Sequence, residues 1–213
     1  MKKLKIYDLS LKISNSLPYY PGDPEIRVEP KLIYAEKNAN VLSLHLGTHS
    51  GTHIDAPFHQ IDGGKTLDDI CLDMYMGEAV FIYIPKDDNE TITDGDLKKY
   101  DIREDDIVII CTGWQDNKYK DNYFKGFPYF TEKAADFFIS RKIKCLGADI
   151  PSVDGPGSGA VFHKKVLSAG IGIIEALINL KPLAGKRMFF SALPLAIEKG
   201  DGSPVRAVAV EGI

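Results

Sequence analysis

The sequence predicts an α/β fold built on a mixed, strand-rich sheet with few flanking helices. Three observations carry that expectation. Residues 77–85 (GEAVFIYIP), 106–113 (DIVIICTG) and 143–149 (IKCLGAD) are short, nearly continuous apolar runs, the pattern of strands covered on both faces. Helical stretches are few, while strand-like segments recur along the whole chain. No GxGxxG follows the first strand and no regular βαβ alternation is visible, which argues against a dinucleotide-binding Rossmann domain and for helices packed around a mixed sheet.

The elements follow in order. LKIYDLSL (4–11) and IRVEPKLIYAE (26–36) read as strands, separated by a Pro/Gly loop, SLPYYPGDPE (16–25). NVLSLHLGTHSGTHIDA (40–56) begins as an alternating strand. DGDLKKY (94–100) reads as a short helix. TEKAADFFISRK (131–142) is the better helix, with Thr131 as N-cap and Ala134, Phe137, Phe138 and Arg141 at helical spacing. HKKVLSAG (163–170) gives one or two helical turns that stop at Gly170. IGIIEAL (171–177), RMFFSALPL (187–195) and VRAVAVEGI (205–213) are strand-like, and GDGSP (200–204) is a turn by composition. The acidic stretch KDDNETITDGD (86–96) lacks calcium-loop spacing and reads as a solvated turn.

The totals fit one domain over residues 1–213, with 44% apolar and 26% charged residues. A net charge of -4 gives no basic surplus for nucleic acid or an anionic membrane, so a small-molecule partner is expected. The three cysteines, Cys71, Cys111 and Cys145, form no CxxC pair; Cys111 and Cys145 lie in apolar runs and read as buried thiols. The opening MKKLKIYDLSLKI has no apolar secretory region and no stretch is apolar enough to span a bilayer, so a cytoplasmic location is expected.

Three of the five histidines fall in the eleven residues HSGTHIDAPFH, His49 to His59. His45, His49 and His53 would stack on one helical face, but Gly47, Gly51, two threonines and Pro57 oppose a helix. In extended chain, His49, His53, Asp55 and His59 share a parity, and His53 and Asp55 become near neighbours on one face. Two imidazoles and a carboxylate at H-x3-H-x-D suit a divalent metal such as zinc, manganese or iron, with a coordination position left for water. His45 lies outside the tight motif and reads as structural or supporting. His163 stands alone, and Glu175 is a carboxylate inside an apolar run, either paired or bound to a metal, or else solvent-facing at an element end.

The stretch His49-Ser50-Gly51-Thr52-His53-Ile54-Asp55-Ala56-Pro57-Phe58-His59 resembles, without departure, the motif of the cyclase family, whose best-known members are the metal-dependent kynurenine formamidases of bacteria. YDLS (7–10), YPGDP (20–24), TGW (112–114), GADIPSVD (147–154), the His163–Glu175 pair and GSPVRAVAV (202–210) extend the resemblance over most of the chain. The resemblance implies a swivelling β/β/α fold and a homo-oligomer, dimer or tetramer. It implies that His49, His53 and Asp55 hold one divalent ion, that Asp55 bridges to a second held by His163 and Glu175, and that His59 is the acid/base residue. The reaction it implies is hydrolysis of a non-peptide C–N bond, in an N-formyl anilide or a cyclic amide.

Other residues frame the expectation. Tyr19 and Tyr20 beside the Pro-Gly turn are either aromatic walls for a flat substrate or loop aromatics at an oligomer contact. Trp114 reads as core, and GPGSG (155–159), lacking the GK[ST] ending of a phosphate loop, as a flexible approach to His163. The motif alone does not separate an aryl formamidase from a hydrolase of another cyclic amide or lactone. Two histidines and a carboxylate also suit a non-haem iron oxygenase, or a metal-stabilised binding protein without turnover.

Overall fold

In a computed structural model of the chain, residues 4–212 are described; Ile213, the end of the last predicted strand, and residues 1–3 lie outside them. Thirteen strands occur among the described residues: β1 Lys5–Asp8, β2 Arg27–Leu32, β3 Val41–His45, β4 His53–Asp55, β5 Met76–Tyr83, β6 Thr91–Ile92 and β7 Ile107–Cys111, then β8 Tyr129–Phe130, β9 Cys145–Ala148, β10 Gly172–Glu175, β11 Arg187–Ser191, β12 Gly202–Pro204 and β13 Val208–Glu211. Four α-helices accompany them: α1 Tyr34–Lys37, α2 Asp94–Leu97, α3 Glu132–Arg141 and α4 Val161–Ser168.

Nine strands make one sheet in the order β1-β13-β11-β5-β7-β9-β10-β4-β12. The centre, β5-β7-β9-β10, is parallel and the flanks are antiparallel, so the sheet is mixed as expected. Every residue of β7 and β9 is buried. Along β7, Val108 and Ile110 face a core shared with Phe137 and Phe138 of α3 and Phe162 and Val166 of α4. Ile107 and Ile109 face the opposite core, which Ile54, Phe81, Ile174 and Phe190 help to fill. Two-sided burial is why these runs carry almost no polar residues.

Helix α3 starts where the cap signal places it: the Thr131 hydroxyl accepts the Ala134 N–H at 3.3 Å, and Ala134, Phe137 and Phe138 are buried. Trp114 is core, with its indole N–H donated to the Tyr123 carbonyl at 3.0 Å. Cys111 and Cys145 are buried and Cys71 is exposed.

Several expectations are corrected. The run β7-α3-β9-α4-β10 is a parallel βαβαβ unit; four- and five-residue strands joined by helices of ten and eight residues left its alternation hard to see. GDGSP is not only a turn, because Gly202–Pro204 pairs with β4 as the edge strand β12. Pro204 is tolerated there because an edge strand has no outer neighbour awaiting its missing N–H. IYAE is not strand: Tyr34–Lys37 forms α1, a single turn closed by Asn38 at φ 52°. The acidic stretch contains β6, paired in parallel with β8, and Ile92 is fully buried. His45 lies exposed on the β2–β3 ribbon and belongs to neither group of potential ligands.

Candidate metal centre and substrate cleft

β4 runs between β10 and β12, with Glu175 and Pro204 opposite His53, and Ile173 and Gly202 opposite Asp55. Period two sends Ile54 into the core and His53 and Asp55 to the other face, both buried. His49 arrives from the loop before β4, which turns through Gly51 at φ 68°. His59 comes from the short 3-10 turn Pro57–His59 after the strand, and His163 from α4. The strict parity of an extended chain is therefore not what unites the four motif residues; a kink on each side of a three-residue strand does so.

Asp55 sits at the centre. His49 Nδ1 lies 2.8 Å and His53 Nε2 3.5 Å from its Oδ1, and His163 Nε2 lies 3.4 Å from its Oδ2. Neither carboxylate oxygen has a partner aligned as a hydrogen bond, although both are buried. Glu175 closes the cluster, with Oε2 3.5 Å from His53 Nε2 and Oε1 3.1 Å from His163 Nε2. Nitrogens and oxygens thus face one another without satisfying one another, the donor arrangement a cation would complete.

The outer nitrogen of each of these imidazoles has an acceptor. His53 Nδ1 lies 2.9 Å from the Gly51 carbonyl, His163 Nδ1 lies 2.6 Å from Asp154 Oδ2, and His49 Nε2 lies 3.2 Å from Asp201 Oδ2. An acceptor outside fixes the proton outside, leaving the inner lone pair for a metal. Asp154 also accepts the N–H groups of Phe162 and His163 at 3.0 and 2.9 Å, capping the α4 turn whose own N-cap, Ala160, has no capping side chain. Gly202 must be glycine: a Cβ there would stand 2.6 Å from His49 Cε1.

Two groups of potential ligands share Asp55: His49, Asp55 and His59, and His53, Asp55 and Glu175, with ligating atoms within 4.8 Å of one another in each. All six residues expected at the site thus converge, His163 included through Asp55 and Glu175. The donor set fits a divalent metal. The second group draws on His53 where the resemblance had paired Glu175 with His163, and the first admits His59 as a ligand.

The electrostatics of the cluster agree. Burial opposes charge on His49, but Asp201 and Asp55 overcome it and raise His49 to about 10. Burial likewise opposes charge on His163, and Asp154, Asp55 and Glu175 raise it above the usual imidazole range. Asp154 is lowered to about 2 despite burial, through His163 and the capped N–H groups, and Asp201 to about 2, chiefly through His49. Raised imidazoles stabilise the fold below their unfolded pKa near 6.5, and that stabilisation is lost as pH rises through the folded values. Lowered carboxylates stabilise above about 3.9 and lose that as pH falls towards 2. Chelator-treated protein is therefore expected to be most stable between about pH 4 and 6.5 and to melt lower by pH 9.5, a tenfold change in proton affinity corresponding to about 1.4 kcal/mol. Protein loaded with a divalent ion should lack the alkaline decline, because the cation replaces the protons. Melting curves across pH, with and without metal, check this.

The cluster floors a cavity of about 340 Å³. Tyr19 and Tyr20 line it, as do Tyr123 and Phe124 from the loop after β7. Tyr20 meets Phe124 edge-to-face, centroids 5.4 Å apart, and Tyr123 meets Phe124 at 4.9 Å. Buried Asp149 organises that loop, accepting the Thr112 N–H at 2.7 Å, the Thr112 hydroxyl at 2.8 Å and the Gly113 N–H at 2.8 Å. The TGW and GAD segments thereby build the aromatic wall. Gly155, Gly157 and Ser158 of the glycine-rich segment line the opening, and the Ser158 hydroxyl donates to Asp154 at 2.9 Å.

Sequence reasoning missed Asp154, Asp201, Gln60, Tyr123 and Phe124 as site residues. Asp154 had a weak signal, its place at the end of the GADIPSVD segment that carried part of the family resemblance. Asp201 had none, being one acidic residue in a polar turn. Tyr123 and Phe124 are adjacent aromatics in an Asn/Lys-rich loop, a combination that could have drawn notice.

A divalent-metal donor set opening into a substrate-sized aromatic cleft defines an enzyme of the metal-dependent hydrolase class. The chain belongs to the cyclase family: that family's pattern, described as "Putative cyclase", matches residues 7–155. A kynurenine formamidase from Geobacillus thermodenitrificans is 32% identical over 94% of each chain. Among solved structures, a potential metal-dependent hydrolase with cyclase activity superposes with a TM-score of 0.85 at 28% identity, covering 99% of this chain and 100% of the other. An isatin hydrolase A from Labrenzia aggregata superposes with a TM-score of 0.86 at 26% identity, covering 97% and 93%. No helix among the described residues is long and apolar enough to cross a membrane.

Proposed function

We propose that the chain is an amidohydrolase that cleaves a non-peptide C–N bond, and that its substrate is an aryl formamide such as N-formylkynurenine. The observation that carries this reading is the Asp55 carboxylate, buried without aligned partners among three imidazole nitrogens at the floor of an aromatic cleft. Divalent metal held by His49, His53, Asp55, His163 and Glu175, zinc or else manganese or iron in one or two positions, would polarise the formyl carbonyl and acidify water.

The protein's own groups do the rest. Tyr19, Tyr20, Tyr123 and Phe124 flank the aryl ring. Water adds to the formyl carbon, the C–N bond breaks, and formate leaves with the free arylamine. His59, half-buried between His49 and His163, accepts the water's proton and delivers it to the departing nitrogen. Burial lowers its pKa below the usual value, so it is neutral at pH 7 and ready to act as a base. Gln60 Nε2, 2.8 Å from His59 Nε2, orients the ring. Residues 1–213 act as one hydrolase domain of a cytoplasmic homo-oligomer in tryptophan breakdown.

The likeness to an isatin hydrolase makes the opening of a cyclic amide the reading to test against. The deciding experiment strips the protein of metal, reloads it with zinc, manganese or iron without oxygen, and offers N-formylkynurenine beside isatin. The expected result is metal-dependent formate release that needs no oxygen. Turnover of isatin alone moves the substrate to a cyclic amide, and turnover only with iron and oxygen overturns the hydrolase.

A further inference from the structure

Among the described residues, the cleft carries one charged side chain outside the metal cluster and its supports. That residue is Asp23, and no described Lys or Arg lines the cavity. Tyr20, Pro21, Gly22 and Asp23 form a tight turn in which the Asp23 N–H donates to the Tyr20 carbonyl at 3.0 Å. Gly22 has φ 104°, the left-handed value that a type II turn requires at its third residue, and Pro21 occupies the second. Pro24 follows and disfavours helical backbone at Asp23. One tight turn therefore places Tyr20 and Asp23 together on the wall of the same cavity. Both line it, Tyr20 locked edge-to-face on Phe124 and Asp23 half-buried beside it.

We propose that Asp23 is a specificity-determining residue, which selects aryl substrates whose side arm ends in an ammonium group and disfavours those bearing a carboxylate beside the ring. The proposal rests on the aryl-formamide reading of this cleft and deepens it. A ring placed against Tyr20 and Phe124, with its scissile group over the metal cluster, leaves the rest of its side arm at the rim. The charged residue in the lining outside the cluster and its supports is an anion, and no Lys or Arg in the described lining offsets it. A preorganised carboxylate loses little side-chain freedom on pairing, so a half-buried contact of this kind is worth about fivefold in affinity. An arylamine product with a ring carboxylate meets the opposite field.

Binding tests this independently of turnover. Three product-like probes share an ortho-amino aryl ketone or acid: kynuramine, with an ammonium arm; 2-aminoacetophenone, uncharged; and anthranilate, with a ring carboxylate. Calorimetric titration into metal-loaded full-length protein at pH 7 should rank them in that order, with kynuramine about fivefold tighter than 2-aminoacetophenone. In Asp23→Asn the kynuramine advantage should fall to nearly one, and in Asp23→Lys anthranilate should overtake kynuramine. An advantage that persists in Asp23→Asn, or anthranilate binding as tightly as kynuramine to the unaltered protein, overturns the proposal. Formate release from N-formylkynurenine is read separately, so failure of hydrolysis and failure of the Asp23 assignment are told apart.

Discussion

Asp55→Ala should leave a folded protein that retains no stoichiometric divalent metal and has lost more than about a thousandfold in turnover, the several kcal/mol that metal-assisted charge stabilisation contributes. Asp55 is the residue shared by both potential ligand groups, and each of its oxygens faces a different set of nitrogens. Removing it takes the anion from both positions at once, whereas losing His49 or Glu175 weakens one. The fold should survive because the imidazoles left behind can shed a proton and keep their other partners, Asp201 for His49 and Asp154 for His163. Those imidazoles should return towards ordinary values, so the alkaline loss of stability should shrink in the same variant. Asp55→Asn keeps the shape and removes the charge, and it should behave like the alanine variant. Metal analysis after dialysis against zinc is the check: two retained ions would sink the bridging role.

The contrast between Asp55 and its supports shows what the sequence made legible. His53 and Asp55 could be placed on one face by counting, because period two is local and β4 obeys it. That Glu175 stands opposite His53 depends on the register of β10 against β4, over a hundred residues apart in sequence, and no local rule supplies it. The family resemblance named Glu175 and His163 together as ligands of a second ion, and so did not supply the neighbourhood of Glu175 and His53 either. Asp154 and Asp201 were missed for a related reason. They are chosen by where an imidazole's second nitrogen ends up after folding, not by any periodicity of their own. The strand β12 failed for the opposite reason. Gly200 to Pro204 has the composition of a turn, and tertiary contacts override it: Gly202 is present because His49 packs on it, and Pro204 because the strand is an edge. The buried core was read well, since β7 and β9 pack on both faces and announce it with uninterrupted apolar residues. The aromatic wall was half read. Tyr19 and Tyr20 stood out beside a rigid turn, whereas Tyr123 and Phe124 are brought to them by a loop anchored on Asp149, a contact thirty-six residues across in sequence at its Gly113 end.

His59→Ala separates two roles that the geometry allows. The ring lies tilted against His49, centroids 3.9 Å apart, and offers a nitrogen within ligating range of Asp55 and His49, so it could complete a metal position. It differs from the other three imidazoles in one respect. Each of those has an anionic or carbonyl acceptor fixing its outer proton, while the polar partner of His59 is the Gln60 amide, a neutral group that can turn to donate or accept. A ligand needs a fixed tautomer; a residue that takes up and releases a proton needs a partner that tolerates both states. The alanine variant should therefore keep its metal and its melting temperature and lose about 10²- to 10⁴-fold in kcat, the usual weight of a positioned acid/base. Because burial, the leading influence on His59, lowers its pKa, the acid limb of kcat/KM in the unaltered enzyme should fall below pH 6.5, and that limb should vanish in the variant. Metal lost together with activity would instead make His59 a ligand, and proton transfer would then fall to another group in the cleft.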